Sequence, residues 1–415
     1  MSRRPLLGLL SANAVSITGN VLTVLAIPWF VLQTTGSATK TGLAAAASSL
    51  PIMLSAAFSG TVADRMGHRR ASIASDLASA AIVGLVPLLH ATVGLAFWQL
   101  LALVFLRSFF ATPGETARGA LLPELAGVAG TSLERATSGY DAVARGARMV
   151  GAPVAGVLIA VFGAPNLLVI DAATFCLSAL LVLRYVPPPV RAARERSPFV
   201  EDFRDGLAYL RRQALVRNIV ILCMVTNMLD AGMAAVMLPI HARDVLHSSV
   251  ALGLIVGVSG GSAVLGALAF GAWGERLPRR PTFVVAYTVC GIPRFAVLAL
   301  GAPLWVILAV TAASSLASGT LNPIMDTSMF ERLPESMRAR VFGVVAAGCT
   351  AAMPVGGVLA GALVATAGLR PALWAFGIAY LVATLAPAFF PSWRGLERQA
   401  PGAALPMPDA ASMAR

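Results

Sequence analysis

A polar stretch between two apolar runs reads Gly60-Thr-Val-Ala-Asp64-Arg65-Met-Gly67-His68-Arg69-Arg70. A second stretch of the same kind begins 211 residues later and reads Gly271-Ala-Trp-Gly-Glu275-Arg276-Leu-Pro-Arg279-Arg280. Prolines outside these stretches keep the same offset, since Pro28 matches Pro239 and Pro123 matches Pro334. The chain is therefore a repeat of two similar halves, and such a repeat predicts a substrate cavity between them.

The composition excludes a soluble protein. Hydrophobic residues make up 57% of the 415 residues, charged residues make up 12%, and the mean hydropathy is +0.79. Soluble domains carry about 25% charged residues, so about half of the usual polar surface is missing. A soluble enzyme, a disordered chain and a fibrous chain are thereby excluded.

Apolar stretches long enough to cross a bilayer core of about 30 Å recur along the chain. Twelve transmembrane helices are predicted, at 6–33, 41–63, 71–90, 93–117, 137–162, 166–186, 214–242, 248–272, 282–301, 303–330, 340–366 and 370–391. Together with the repeat, they predict an all-α membrane protein made of two pseudo-symmetric six-helix bundles.

The same spans predict the domain boundaries. An N-terminal bundle at 1–186 and a C-terminal bundle at 214–395 are joined by a cytoplasmic linker at 187–213. The linker contains an amphipathic stretch at 199–212, which is expected to lie on the membrane surface. The tail at 396–415 is rich in alanine and proline and is predicted to be disordered.

The basic residues predict the orientation. They outnumber the acidic residues by 31 to 19, and the outward loops hold only Lys40, Arg243 and Arg370. The other loops and the termini hold Arg3, Arg4, Arg65, Arg69, Arg70, Arg118, Arg135, the loop 184–217, Arg276, Arg279, Arg280, Arg332, Arg338, Arg340, Arg394, Arg398 and Arg415. This bias predicts an inner-membrane protein with both termini in the cytoplasm. Because the charges are spread over loops, no nucleic-acid partner is expected.

The two polar stretches resemble the signature loop of the major facilitator superfamily, with His68 at one usually basic position. The resemblance covers residues 1–395 and implies a transporter that works by alternating access. It also implies a gating loop at the cytoplasmic side formed by Gly60, Asp64, Arg65, Gly67, Arg69, Arg70, Glu275 and Arg276. An acid at a helix end can pair with arginines and with a neighbouring helix terminus, which would hold that side closed. The alternative is a loop that only sets topology.

Within the superfamily, the sequence is similar to bacterial exporters of the macrolide-efflux, tetracycline-efflux-like and enterobactin-exporter kinds. This similarity rests on Gly19-Asn20, on Pro28-Trp-Phe-Val-Leu-Gln-Thr-Thr-Gly-Ser37, on Thr112-Pro-Gly114 and on Ala120-Leu-Leu-Pro-Glu-Leu125. The fifth helix adds Gly151, Pro153 and Gly156 of an exporter motif in which Arg148 and Ala152 replace two glycines. The similarity implies a proton-coupled antiporter of hydrophobic or amphiphilic molecules such as drugs, antibiotics, siderophores or secondary metabolites. Asn20 stands where relatives often have an acid.

Charged residues inside a membrane span are costly, so each is a functional candidate. They are Arg107, Glu115, Asp141, Arg145, Arg148, Asp171, Asp230, Arg294 and Asp326. Asp230 is interpreted either as a proton-exchanging carboxylate or as a structural partner of Arg294. Glu115 and Arg107 complete the proton-coupling candidates, Arg107 as a group that tunes an acid or binds substrate. Asp141 and Arg145, four residues apart, are predicted to be a structural pair.

The predicted substrate cavity combines polar, aromatic and methionine side chains. Its candidates are Asn20, Trp29, Gln33, Asn227, Met228, Arg294 and Asn322. Methionine adapts to varied ligands, so this mixture favours an amphiphilic or hydrophobic substrate. For each residue, packing in the core or against lipid is the alternative.

The sequence predicts no metal, no cofactor and no enzyme activity. The four cysteines lie inside apolar runs without metal-ligand spacing, and nucleotide-binding motifs are missing. The expected partners of a monomer are a small-molecule substrate, protons and the lipid bilayer. An importer or a lipid or lysolipid flippase of the same fold is the main alternative, followed by a membrane enzyme or a receptor.

Overall fold

The computed structural model describes residues 2–188, 199–333 and 335–397, and nearly all of them are helical. Twelve labels cover the long helices: α1 (Arg4–Thr35), α2 (Ala38–Met66), α3 (His68–Thr92), α4 (Phe97–Ala129), α5 (Leu133–Tyr185), α6 (Phe199–Arg212), α7 (Ala214–Asp244), α8 (Ser249–Trp273), α9 (Arg279–Ala299), α10 (Leu304–Phe330), α11 (Glu335–Thr350 and Met353–Ala367) and α12 (Leu369–Phe389). We call α1–α5 the first half and α7–α12 the second half.

Very short connections make successive helices antiparallel neighbours. Ser37 caps α2 by accepting a hydrogen bond from the Lys40 amide at 3.3 Å, directly after Gly36 ends α1 with a left-handed φ of 63°. Gly67 alone separates α2 from α3 and also has a positive φ, of 80°. Such turns suit glycine, which has no Cβ to clash in this region.

Helix α5 is two helices joined end to end. Gly163, with φ 79° and ψ 160°, interrupts it between a first arm at 133–162 and a second arm at 164–185. The break lies between the predicted spans 137–162 and 166–186, and each arm exceeds the roughly 20 residues that cross a bilayer.

Among the described residues, ten helices are long and apolar enough to cross a membrane, with α5 counted as one helix. Since α5 has two arms and α2 adds a further 29-residue helix, the architecture is consistent with the twelve predicted spans. Large apolar side chains are exposed along the outer faces, among them Val161 at 67%, Leu268 at 66% and Val382 at 66%. A surface of this kind fits lipid rather than water.

The two sides of the molecule are distinct. We call the side that carries Gly67, α6 and both ends of the described chain the linker side, and the opposite side, with Gly36 and Gly163, the far side. On the linker side, Asp205 of α6 bonds Arg340 of α11 at 3.0 Å. After α12, the short helix Pro391–Leu396 packs Trp393 against the ring of Phe283 at 6.0 Å between centroids.

The halves touch each other through two pairs of glycine-rich helices, α2 with α11 and the first arm of α5 with α8. A Cβ on Gly361 would lie 2.6 Å from the Ala38 carbonyl oxygen, and one on Gly156 would lie 2.6 Å from that of Ser249. These residues belong to the far-side portions of their helices. The contacts described here therefore close the molecule on its far side.

Candidate transport site

An apolar chamber of about 270 Å³ lies mainly in the first half. Its walls come from α1 to α5, α7 and α11, and comprise Thr23, Val24, Ile27, Pro28, Ala45, Ser48, Ser49, Ile52, Ile82, Val83, Val86, Leu103, Val104, Arg107, Ser108, Leu168, Ala231, Ala234, Ala235 and Met353. Arg107 is the one charged residue in this lining, and the other polar groups are hydroxyls. An apolar cavity with few polar groups is typical of sites for drug-sized ligands.

A hydrogen-bonded network joins α1 to α4 beside the chamber. Arg107 donates from its Nη2 to the Asn20 side-chain oxygen, and the Asn20 amide donates to Glu115 Oε1 at 3.0 Å. The Arg107 guanidinium also lies over the Phe175 ring, with 5.6 Å from Cζ to the centroid. Asn20 thus joins two of the proton-coupling candidates, although it lines neither of the two cavities described here.

Asp171, on the second arm of α5, is completely buried against α1. The Thr23 hydroxyl donates to its Oδ2, and the Thr174 hydroxyl contacts its Oδ1 at 3.2 Å. Gly19 faces the carboxylate so closely that a Cβ at this position would collide with Asp171 and Thr174. The Gly19-Asn20 pair in the sequence therefore serves two contacts, Gly19 with the buried Asp171 and Asn20 with the exposed Glu115.

A second buried cluster lies nearer the linker side and was missed by the sequence analysis. Arg118 Nη1 lies 3.0 Å from both carboxylate oxygens of Asp76, and Ser178 donates to Asp76 at 2.7 Å. Arg118 Nη2 also contacts the Ser16 hydroxyl at 3.1 Å. The cluster joins α1, α3, α4 and the second arm of α5.

The assignment of Arg118 to a loop was wrong. The predicted span ended at 117, but α4 continues to Ala129 and Arg118 is only 1% exposed. The predicted span stopped before Arg118 because a charged residue usually marks the end of a membrane span. Here Asp76 pairs with Arg118 inside the protein, so the helix continues without an aqueous loop. The sequence did contain a signal for this cluster, because Asp76 is an acid inside the predicted span 71–90.

A polar cavity of about 340 Å³ lies in the second half. Asn227, Asp230, Arg294, Asn322 and Asp326 are among its lining residues. Arg294 Nη2 bonds Asp230 Oδ1 at 2.7 Å, and its Nε donates to the Cys290 carbonyl. Asp230 therefore has the ion-pair partner that the sequence analysis named as one of two interpretations.

The remaining cavity candidates are placed elsewhere. Trp29 is buried in the core, Gln33 is exposed near the end of α1, and Met228 is half-buried on α7. None of the three lines either described cavity. The residues Asp141 and Arg145 are both exposed, and within the described part of the chain no ion pair joins them.

The helix-five motif lies at helix contacts. Pro153 packs against Gly257, and Gly156 packs against Gly253, whose Cα would be 3.0 Å from a Cβ on Gly156. Ser249 reinforces this contact by donating to the Gly156 carbonyl at 3.0 Å. Gly151 instead faces Val21 of α1.

The signature loops repeat one contact in both halves. Arg69 donates to the Leu183 and Val186 carbonyls, each at 2.7 Å, and Arg280 donates to the Pro387 and Ala388 carbonyls, each at 3.0 Å. Each arginine thus binds the carbonyl end of the last helix of its half, where the helix dipole favours a cation.

The other gating candidates lie around these arginines on the linker side. Arg65, Arg70 and Arg276 are exposed. Gly60, Asp64 and Glu275 lie on helical turns, but the side chains of Asp64 and Glu275 lie outside the described part of the structure.

Two cavities, buried charges and glycine-lined contacts between two halves define a membrane transporter. The chain belongs to the transmembrane secretion effector family of the major facilitator superfamily, with residues 6–412 matched.

Relatives with known names are transporters. The chain is 32% identical over 402 residues to the multidrug efflux pump Tap of Mycolicibacterium fortuitum, which covers 95% of this chain and 98% of the pump. It is 31% identical over 403 residues to Tap of Mycobacterium tuberculosis (strain ATCC 25618 / H37Rv), covering 95% and 96%. A crystal structure of a mutant of the nucleoside transporter NupG has a TM-score of 0.77 at 16% identity, covering 93% of this chain and 99% of that one. This last likeness concerns the fold alone.

Proposed function

We propose that the protein is a proton-coupled exporter of hydrophobic or amphiphilic small molecules, drugs among them. The apolar chamber beside Arg107 is the observation that carries the proposal, because it suits varied apolar ligands and offers one cation for orientation. The relation to the Tap multidrug efflux pumps supports the same substrate class.

The proposed location is the inner membrane, with both termini in the cytoplasm. The arginine-rich linker side then faces the cytoplasm, as the positive-inside rule requires. In this orientation, the closed far side faces outward, and the linker side is the side from which an exporter collects its substrate.

The proposed cycle rocks the segments 1–186 and 214–395 against each other as two bundles. The close packing of α2 on α11 and of α5 on α8 supports rigid-body motion. Glycine contacts let the helix backbones approach closely and separate again without interlocking side chains. Arg65, Arg70, Arg276, Asp64 and Glu275 are proposed to close the linker side in the opposite state, while Arg69 stays bound within its own half.

The proposed coupling machinery lies in the first half. Arg107, Asn20 and Glu115 form one network at the wall of the chamber, so a proton and a substrate would act on the same groups. The Asp230–Arg294 ion pair favours a structural part for Asp230, because the pair ties α7 to α9. A monomer is proposed, with protons, substrate and lipid as its partners.

Ethidium accumulation in a bacterium that lacks its own major efflux pumps tests this function. Cells producing the protein are expected to accumulate several-fold less ethidium than cells with an empty vector, and a protonophore should remove the difference. Equal accumulation would contradict export. Higher accumulation in the producing cells would instead indicate an importer.

A further inference from the structure

We propose that Asp171 is the carboxyl group that binds and releases the transported proton, in competition with substrate in the apolar chamber. The inference rests on the proposed proton-coupled export. It assigns the proton to a residue that is distinct from Glu115 and Asp230.

The first argument is the chemistry of the contacts around Asp171. The carboxyl is fully buried, and its side-chain partners are the hydroxyls of Thr23 and Thr174. In the described residues, no basic group lies within 4.0 Å of it. A carboxyl group that is removed from water without a paired cation is far less costly to bury when it is protonated.

The second argument is the contrast with two other acids of the membrane-spanning helices, the buried Asp76 and the half-buried Asp230. Asp76 meets Arg118 with both of its oxygens at 3.0 Å, and Asp230 meets Arg294 at 2.7 Å. Each of these two acids therefore has a basic group at ion-pair distance, which Asp171 lacks in the described residues. Acids in such different surroundings have different roles, so Asp76 and Asp230 tie helices together while Asp171 is able to exchange a proton.

The third argument is the connection of Asp171 to the chamber. Thr23, which contacts the carboxyl, and Leu168, one turn before it, both belong to the chamber lining. A proton that leaves the Asp171 oxygen can therefore reach the chamber past the Thr23 hydroxyl. The breaking O–H bond leaves a carboxylate behind, and the proton passes to water in the open chamber.

The charged groups around Asp171 explain how substrate competes with the proton. From α4, the Arg107 guanidinium lies over the ring of Phe175, one turn beyond Asp171 on the same arm of α5, and Glu115 is joined to Arg107 by way of Asn20. From α3, the nearest acid is Asp76, which is already paired. Loss of the proton therefore draws Arg107 from Asn20 toward Asp171 and changes the chamber wall that the substrate contacts. The two binding events are coupled through Arg107.

Proton release on ligand binding tests this assignment. Ethidium is added to the purified full-length protein in weakly buffered detergent solution, and the protons released are followed with a pH dye. The wild-type protein is expected to release protons, and its ethidium affinity should fall as the pH is lowered, by up to about tenfold per pH unit, the limit for one proton. Asp171→Asn should bind ethidium without releasing protons and with an affinity independent of pH.

Asp141→Asn is the matched control, because it makes the same change at an exposed position of the same helix and should behave as the wild type. Thr23→Val keeps the acid but removes a hydroxyl that supports the carboxylate, so the pH midpoint of ethidium binding should move to higher pH. This variant provides an independent test if Asp171→Asn does not fold, and an unmoved midpoint would overturn the proposal.

The outcomes separate the two proposals. Proton release that persists in Asp171→Asn overturns the assignment of Asp171 and leaves proton-coupled export intact. Ethidium binding to the wild-type protein without any proton release overturns both.

Discussion

At the residue scale, the contact between Asp76 and Arg118 is the most deeply buried ion pair among the described residues. Both side chains are at most 3% exposed, and Ser178 and Ser16 satisfy further polar atoms of the pair. Removing one member of a buried pair leaves an uncompensated charge in a medium that solvates it poorly. The pair therefore fixes α3 to α4 inside the first half.

Arg118→Met keeps an unbranched apolar stem but removes the guanidinium, which leaves the charge of Asp76 unpaired. We expect a loss of about 3–5 kcal/mol in stability, the range for breaking a buried pair from one side. The thermal unfolding midpoint of the detergent-purified protein should fall clearly below that of the wild type.

Asp205→Asn serves as the control, because its ion pair with Arg340 is about 40% exposed and such pairs contribute only about 0–1 kcal/mol. An unfolding midpoint in Arg118→Met as high as that of the control would show that the buried pair does not support the fold.

Sequence reasoning at this scale identifies charges but not their partners. The pairing of Asp230 with Arg294 is one of the two interpretations that the sequence supports, because both residues lie near the middle of their predicted spans. The pairing of Asp76 with Arg118 was not foreseen, since the two residues are 42 positions apart and depend on how α3 and α4 pack. The hydroxyl environment of Asp171 likewise results from the contact between α1 and α5, which no spacing in the sequence encodes.

At the element scale, glycine determines which helices can meet across the two halves. Gly156 and Gly253 bring α5 and α8 into backbone contact, and the nearest atoms are carbonyl oxygen and Cα rather than flexible side chains. Backbone atoms cannot move aside as a side-chain end can, so any Cβ at this position must separate the helices.

Gly156→Val is expected to prevent the far side from closing. Its Cβ would lie 2.6 Å from the Ser249 carbonyl oxygen, well inside van der Waals contact. Ethidium export by cells that produce the variant should fall to the level of the empty vector, while the yield of the protein in the membrane is retained.

Gly146→Val is the matched control, because it makes the same substitution on the same helix at a position where a Cβ meets no atom within 4 Å. Export that is reduced equally in both variants would mean that valine harms α5 by itself and that the contact with α8 is not responsible.

The helices were easier to predict than their ends. Apolar length gave the spans, and the gap between 162 and 166 anticipated the turn at Gly163. The end of α4 was misplaced because the predicted span stops at 117, before the charge of Arg118, whereas the helix continues to Ala129. Inside a bundle, neighbouring helices satisfy such residues, and the helix continues.

At the scale of the whole molecule, the contacts between the halves lie toward the far side. Alternating access requires these contacts to separate in each cycle. A covalent bond across them should therefore hold the molecule in the conformation described here.

Cysteines at Ala45 and Gly357 provide that bond. A Cβ on Gly357 would lie 2.9 Å from the Ala45 Cβ, so a small shift brings the pair to the separation of about 3.8 Å found in disulfides. Oxidation of the double variant should reduce ethidium export to the background level, and a reducing agent should restore it.

The single variants, treated with the same oxidant, control for direct damage. Formation of the bond can be followed with a protease site inserted between residues 188 and 199, since the two fragments then stay joined until they are reduced. Full export by the oxidised, joined protein would contradict a cycle that opens the far side.

The paired arginine contacts have a consequence for how the chain could have arisen and how it can be rearranged. Arg69 and Arg280 each bind the start of the third long helix of a half, α3 or α9, to the end of the last helix of the same half. Each half is therefore held together by a contact that does not involve the other half. Both ends of the described chain and the linker lie on the same side. The order of the halves along the polypeptide is therefore arbitrary in physical terms, as expected for a gene that doubled, and a permuted chain that begins in the second half would keep both fastenings.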